Sequence, residues 1–165
     1  MFYSIDSISP VCQELHRLGK TVVLATGFFD LLHVEHINFL QKAKAAGDIL
    51  VVAVESDQRA AKLKGEGRPI EPQEIRCQHI QDLTGKLENW KTGLLVLALP
   101  DDFDHQGAYE SLLVAVRPQI YAVSSNTEYK DSKQLLTEKY GGKLVVVHTW
   151  NPAISTTQII QNANI

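Results

Sequence analysis

Five short apolar runs, each followed by a stretch of helical periodicity, constrain this 165-residue chain more than any other feature of its sequence. They are residues 21–25, 49–54, 94–99, 119–123 and 143–148. They are too short for helices and mostly uncharged, so they read as strands, with the first two buried on both faces. Between them lie helical patterns at 34–46, 73–83 (Ile75, Ile80, Leu83), 108–116 and 132–140. A leading helix over 4–19 carries Ile8, Val11, Leu15 and Leu18 at helical spacing and ends at Gly19. Gly47 closes the 34–46 helix as a C′ glycine. A last helix, 158–162, opens on Ser155, Thr156 and Thr157. Strands that alternate with helices in this way need crossover connections. The expected fold is therefore a Rossmann-like, doubly wound, five-stranded parallel sheet with helices on both faces. It forms a single domain over residues 1–165, with 1–19 as its leading helix. Ligands in such sheets sit at the carboxyl ends of the strands, near the point where strand order reverses.

Composition narrows the partners. Hydrophobic content of 44% and charged content of 21% are ordinary for a globular domain. A formal net charge of −3, with basic residues scattered, gives no nucleic-acid footprint. Cys12 and Cys77 fit no metal spacing and read as reduced thiols of a cytoplasmic protein. Residues 1–10 lack the features of a signal peptide, and no apolar run approaches the roughly 18 residues that span a bilayer.

The chemistry concentrates at the end of the first strand, in Thr26-Gly27-Phe28-Phe29-Asp30-Leu31-Leu32-His33-Val34-Glu35-His36. A glycine turn leads into a helix whose first turn carries two histidines three residues apart, on one face. Unpaired N–H groups and a partial positive charge make that helix end an anion site. Other strand ends supply matching groups: Lys44, Lys64, Arg68, Arg76, and the Ser155, Thr156 and Thr157 hydroxyls. Residues 58–72 read as a cationic loop, 84–92 as a polar link carrying Trp90, and 124–129 as a polar loop. Asp101, Asp102 and Asp104 read as a polar turn and helix cap. No Ser–His or Cys–His nucleophile pair, Walker loop or Gly-rich dinucleotide fingerprint is present. The set suits a reaction in which the substrate brings the nucleophile while the protein positions phosphates and neutralises charge. The bland alternatives are a packed helix histidine, a capping serine, and a His-x-x-His zinc pair that lacks an evident third ligand.

These residues resemble the cytidylyltransferase-like nucleotidyltransferases, most closely the adenylyltransferase domain of ADP-heptose synthesis. Four segments match in order: 27–33 with the family's glycine–Phe–Asp turn and first motif histidine, 43–48, 64–76, and 154–160 with its Ser-Thr-Thr helix start. The resemblance implies a fold of the HUP nucleotidyltransferase type. It implies transfer of a nucleoside monophosphate from ATP or CTP to a phosphorylated sugar or alcohol, with pyrophosphate released. By matching position, His33, His36 and Lys44 would be catalytic. Thr26, Gly27, Phe28, Phe29, Asp30, Arg68, Arg76, Ser155, Thr156 and Thr157 would bind nucleotide and phosphate. Ser124 and Ser125 would face the acceptor. Mg²⁺ would arrive with the triphosphate rather than in a cage of its own, and a homodimer is expected.

Two departures stand out. The family's glycine between the histidines is Glu35 here, which either obstructs the nucleotide or points outward to favour the helix's first turn. The Lys-Gly pair of the heptose-type relatives after the fourth strand is Ser124-Ser125. Two further readings follow: a nucleotide-binding pseudoenzyme or regulator on the same fold, and a plain interaction domain.

Overall fold

Strand β1 (Val22–Gly27) is the middle of the sheet, and the rest of the chain is wound outward from it in both directions. The computed structural model describes residues 2–103 and 106–163. Helix α1 (Ile5–Arg17) precedes β1. Then come α2 (Val34–Ala45), β2 (Ile49–Val54), α3 (Asp57–Lys64), α4 (Gln73–Gln81) and the four-residue α5 (Leu83–Lys86). They are followed by β3 (Leu94–Ala98), α6 (Gln106–Val116), β4 (Ile120–Ser124), α7 (Lys130–Lys139), β5 (Lys143–His148) and α8 (Thr156–Ala163). All four strand pairings are parallel, in the order β3-β2-β1-β4-β5. This is the expected doubly wound sheet, with its order reversing between β1 and β4.

Side chains that alternate along each strand feed two cores. Val23, Ala25, Leu50, Val52 and Val54 pack with Phe39, Leu40 and Ala43 of α2 and with Cys77 and Ile80 of α4. Val22, Leu24, Val51, Ala53 and Tyr121 pack with Ile8 and Cys12 of α1 and with Leu112, Leu113 and Val116 of α6. Each fully buried Leu, Ile or Val contributes on the order of 1.5–3 kcal/mol. The strands are therefore fixed from both faces.

Three sequence expectations need correction. The first half of the cationic loop is α3: Ser56 caps it by accepting from the Arg59 N–H, two alanines sustain it, and Gly65, at φ 96°, stops it. The polar link contains α5 and a 3₁₀ turn, Glu88–Trp90, whose Trp90 is buried against Leu83 and Leu94. Gly47 is not in the left-handed region. Its need is space, since a Cβ there would lie 2.7 Å from a Val23 methyl and 2.9 Å from the Thr21 carbonyl. Of the acidic turn, Asp104 lies outside the described residues.

Candidate functional site

β1 and β2 are paired at six positions, but β1 and β4 at only two, Val23 with Ile120 and Leu24 with Tyr121. Beyond these the strands diverge, and a hydrogen bond between the Thr26 and Tyr121 hydroxyls (2.8 Å) spans the start of the gap. The crevice opens into a cavity of about 350 Å³ at the strands' carboxyl ends. One wall is the turn after β1, the start of α2 and the start of α8. The other is built from Glu55, Arg59, Tyr109, Ser124, residues 126–129 and Lys133.

The turn is unusually wound. Phe29 and Leu31 both have positive φ, 53° and 48°, a region that L side chains enter at a cost and mostly where function demands it. Gly27 permits this: a Cβ there would meet the Phe29 ring at 2.9 Å. The turn is held from below. The Asp30 carboxylate accepts from the backbone N–H of Ile70 and of Glu71 (both 3.0 Å) and pairs with Arg68 (3.2 Å). Fully buried Arg76 donates to the carbonyls of Phe28 (2.6 Å) and Glu71 (2.9 Å) and pairs with Asp57 (2.6 Å).

His33 is the N-cap residue of α2, and His36 follows one turn on. Their rings stack, with centroids 3.7 Å apart and planes inclined by 21°. The His33 backbone N–H points at His36 Nδ1 (3.5 Å), which assigns the ring proton of His36 to Nε2. Burial, followed by the neighbouring His33 ring, pushes the His36 imidazole down to about 3. Burial also lowers His33, against the pull of Glu35. His36, at least, is therefore a neutral N–H donor near neutral pH. Among the described residues, buried His33 Nδ1 has no hydrogen-bond partner.

Glu35 borders the cavity, and its carboxylate turns to protein partners rather than outward. It is buried, and its Oε2 accepts from His148 Nε2 (2.8 Å) and from the Asn151 backbone N–H (3.3 Å), while Asn38 donates to Oε1 (3.4 Å). The bond from His148 is the chief reason its carboxyl stays below the usual range. On the far side of the ring, Lys42 donates to His148 Nδ1 (3.1 Å). An ammonium has no lone pair, so the imidazole is the neutral Nε2–H form, clasped between two side chains of α2. A one-residue slip in the β4–β5 register pairs Ser124 with His148 and turns the ring towards α2.

The remaining expected residues divide. Lys64 lies at the cavity with its Nζ over the Phe28 ring (5.6 Å). Arg68, Ser124, Ser155 and Thr157 also line it. Ser155 caps α8 by accepting from the Gln158 N–H (3.2 Å), so a second helix N-terminus opens on the cavity beside that of α2. Thr156 lines the cavity too, but its hydroxyl is given to the Asp30 carbonyl (2.7 Å). Four expectations are corrected. Lys44 is remote from the cavity, in the last turn of α2, where its Nζ donates to the Asp48 carbonyl (2.9 Å). The helix lysine that reaches the site's border is Lys42, about 200° away around the helix. Each of the three guanidinium nitrogens of Arg76 donates to a protein oxygen, and the residue does not line the cavity, so it supports the turn rather than a phosphate. Asp30 borders the cavity, but its carboxylate serves the 68–71 segment, and a bare carboxylate there would repel phosphate. The Ser125 hydroxyl accepts from the Trp150 N–H (2.9 Å) and is not part of the lining.

Sequence reasoning missed the second wall. Glu55 is buried, accepts from the Tyr109 hydroxyl (2.9 Å) and pairs with Arg59 (3.2 Å). Burial lifts its carboxyl above the usual range, against Arg59 and Tyr109. Glu55 closes an apolar strand, a position that offered a signal. Tyr109 and Lys133 sit mid-helix and offered none.

The cytidylyltransferase-like family model matches residues 24–162, from β1 to α8. "Bifunctional protein HldE" of Desulfatibacillum aliphaticivorans is 32% identical over 161 residues, covering 96% of this chain and 30% of that protein. The HldE of Wolinella succinogenes is 35% identical over 128 residues, 78% of this chain and 24% of its own length. The chain thus spans about a third or less of the curated relatives it matches. The crystal structure of the lipopolysaccharide core biosynthesis protein from Thermoplasma volcanium superposes with a TM-score of 0.61 at 27% identity, covering 81% of this chain and 98% of that one. A pantoate-beta-alanine ligase from Francisella tularensis, at TM-score 0.62 and 14% identity over all of this chain and 74% of its own, shares the fold. The family match runs through both histidines, the turn they cap and the hydroxyl-bearing start of α8, and on it the chain belongs to the cytidylyltransferase-like family.

Proposed function

We propose that this chain is a nucleotidyltransferase that moves a nucleoside monophosphate from ATP or CTP onto a phosphorylated sugar or alcohol. An oxygen of the acceptor phosphate attacks the α-phosphorus. The bond from that phosphorus to the bridging oxygen breaks, and pyrophosphate leaves with the electron pair. A phosphate dianion carries no proton on the attacking oxygen, so the step needs no general base. The observation that carries the reading is the stacked His33–His36 pair at the start of α2, opening on the same cavity as the start of α8. In this reading the His36 N–H, with His33 beside it, stabilises charge on the α- and β-phosphates as the bond breaks. Lys64, Arg68 and the N-terminus of α8 hold the phosphates, and Mg²⁺ enters as part of the nucleotide substrate. The pseudoenzyme alternative has two motives, Glu35 and the missing Lys-Gly pair at Ser124-Ser125. The bond from His148 to Glu35, which ties the carboxylate into the protein, speaks against the first motive and leaves the second standing.

The test is pyrophosphate release from ATP and CTP against a panel of sugar and alcohol phosphates. Turnover with at least one pair is expected, and His33→Ala and His36→Ala should each lower kcat by roughly 10²–10³-fold. No turnover with any pair by well-folded protein would refute the proposal.

A further inference from the structure

The charges that line the cavity are mostly matched. Arg68 is paired with Asp30, Arg59 with Glu55, and Glu35 with His148. Two ammonium groups of the lining have no carboxylate within ion-pairing distance among the described residues. One is Lys64, exposed on the histidine wall over the Phe28 ring. The other is Lys133, on the opposite wall, reaching in from α7. Among the described residues, its Nζ donates one hydrogen bond, to the Thr127 hydroxyl (2.9 Å). Glu55 and Glu128 are near enough to favour its charge, yet burial outweighs both and holds the ammonium below the usual lysine range. A partly desolvated cation with one neutral partner is costly to keep unless something anionic completes it. The loop after β4 beside it supplies hydroxyls and an amide, Ser124, Asn126 and Thr127, together with the Glu128 carboxylate, but no other cation.

We propose that Lys133, oriented by Thr127, is the acceptor-side cation of the cavity and binds the phosphomonoester of the incoming substrate, on the wall opposite the groups that hold the nucleotide. This rests on the transfer reading above and adds to it the residue that discriminates phosphorylated from unphosphorylated acceptors. Two ammoniums on facing walls divide the work. Lys64 attracts the triphosphate, and Lys133 brings a second anion towards the first against their mutual repulsion. Screening of that repulsion is what allows one phosphate to approach another.

The experiment is a thermal-shift and calorimetric titration of the whole chain, with and without saturating α,β-methylene-ATP or α,β-methylene-CTP and Mg²⁺. The second ligands are inorganic phosphate, glycerol 3-phosphate and glucose 1-phosphate, with glycerol as the unphosphorylated control. At least one phosphomonoester, and not glycerol, should raise the melting temperature. Lys133→Met should weaken its binding at least 10-fold while leaving the nucleotide-analogue shift intact, and Lys133→Arg should restore most of the affinity. If Lys133→Met folds poorly, Lys133→Gln carries the same comparison. Binding that is unchanged in Lys133→Met, or no phosphomonoester binding to the wild type, overturns the assignment. If neither nucleotide analogue binds, the transfer reading fails, while titration without analogue still reports on Lys133.

Discussion

Replacing Glu35 with glycine, as in the motif that this stretch resembles, should weaken this protein rather than bring it closer to that motif. Glu35 accepts from buried His148 at 2.8 Å and from the Asn151 N–H at 3.3 Å. Removing the carboxylate strands the His148 Nε2–H in the protein interior, which costs about 1–3 kcal/mol. The Asn151 amide loses its partner too, but its residue is exposed and water can replace the bond. Glycine in the first turn of α2 adds up to ~1 kcal/mol, and loss of a negative charge at that helix end adds about 0.5 kcal/mol. The sum is ~3 kcal/mol. For a chain of this length it corresponds to a fall in Tm of roughly 6–12 °C. Glu35→Gln keeps an oxygen facing His148 and should cost only about 1 kcal/mol. Urea and thermal melts followed by tryptophan fluorescence, with Trp90 buried and Trp150 beside the Asn151 contact, read these differences directly. A cycle with His148→Ala should give a coupling of about 1–3 kcal/mol. The clasp also fixes the helix turn that carries both histidines, so Glu35→Gly should lower kcat as well as stability. A Glu35→Gly protein within about 0.5 kcal/mol of wild type would show that the carboxylate is not held as described.

Other consequences follow from the same geometry. His36 stays neutral in the folded protein down to about pH 3, whereas an unfolded histidine protonates near 6.5. The unfolded state therefore binds the extra proton between those values, and stability falls as pH drops through that window, by at most ~1.4 kcal/mol per pH unit. His36→Ala should flatten that part of a stability-against-pH curve from urea melts, and an unchanged slope would refute the assignment. Lys44→Ala should leave kcat and the KM for nucleotide within about twofold of wild type, because its ammonium serves the Asp48 carbonyl. Lys64→Ala should raise the nucleotide KM about 10-fold or more, and equal effects in the two variants would put Lys44 back at the site. Arg76→Met should cost about 3–5 kcal/mol in a denaturant melt, since it strands the Phe28 and Glu71 carbonyls in the interior.

The sheet was readable because both of its faces are covered. A strand buried on both sides has little choice but continuous apolar residues, and β1, β2 and β3 each declare themselves in that way. Helix α3 was hidden because charge and glycine content describe a segment's surroundings rather than its backbone. The 57–64 stretch is polar because it sits at the surface, and helical because Ser56 caps it and its alanines favour the helix. At the site, the histidine wall was legible because a glycine turn that feeds a helix is a local device, written in consecutive residues. The second wall was not, since Glu55, Arg59, Tyr109 and Lys133 come from four elements that only the fold brings together.

The lysines of α2 show where sequence pattern stops. Lys42 and Lys44 differ by two positions, hence by about 200° around the helix, and each lies near a polar strand connection that could hold it. Which one reaches a residue of the cavity lining was settled by β5. The register slip at Ser124 turns His148 inward, His148 needs a donor on Nδ1, and the residue at that height on α2 is Lys42. The same slip gives Glu35 its partner. A glutamate between the two histidines would otherwise be a stray buried charge beside the expected phosphate site. Paired with a neutral imidazole on β5, it becomes the tie that holds the histidine turn against the loop leading into α8. Glu35 and His148 should therefore be read as one unit. Changing His148 alone, to Val for example, should produce the obstruction that Glu35 by itself does not. The freed carboxylate would swing towards the cavity, and nucleotide binding should weaken more in His148→Val than in Glu35→Gln/His148→Val. Isothermal titration of α,β-methylene-ATP against the two variants measures that order, and equal affinities would show that the carboxylate has no route into the crevice.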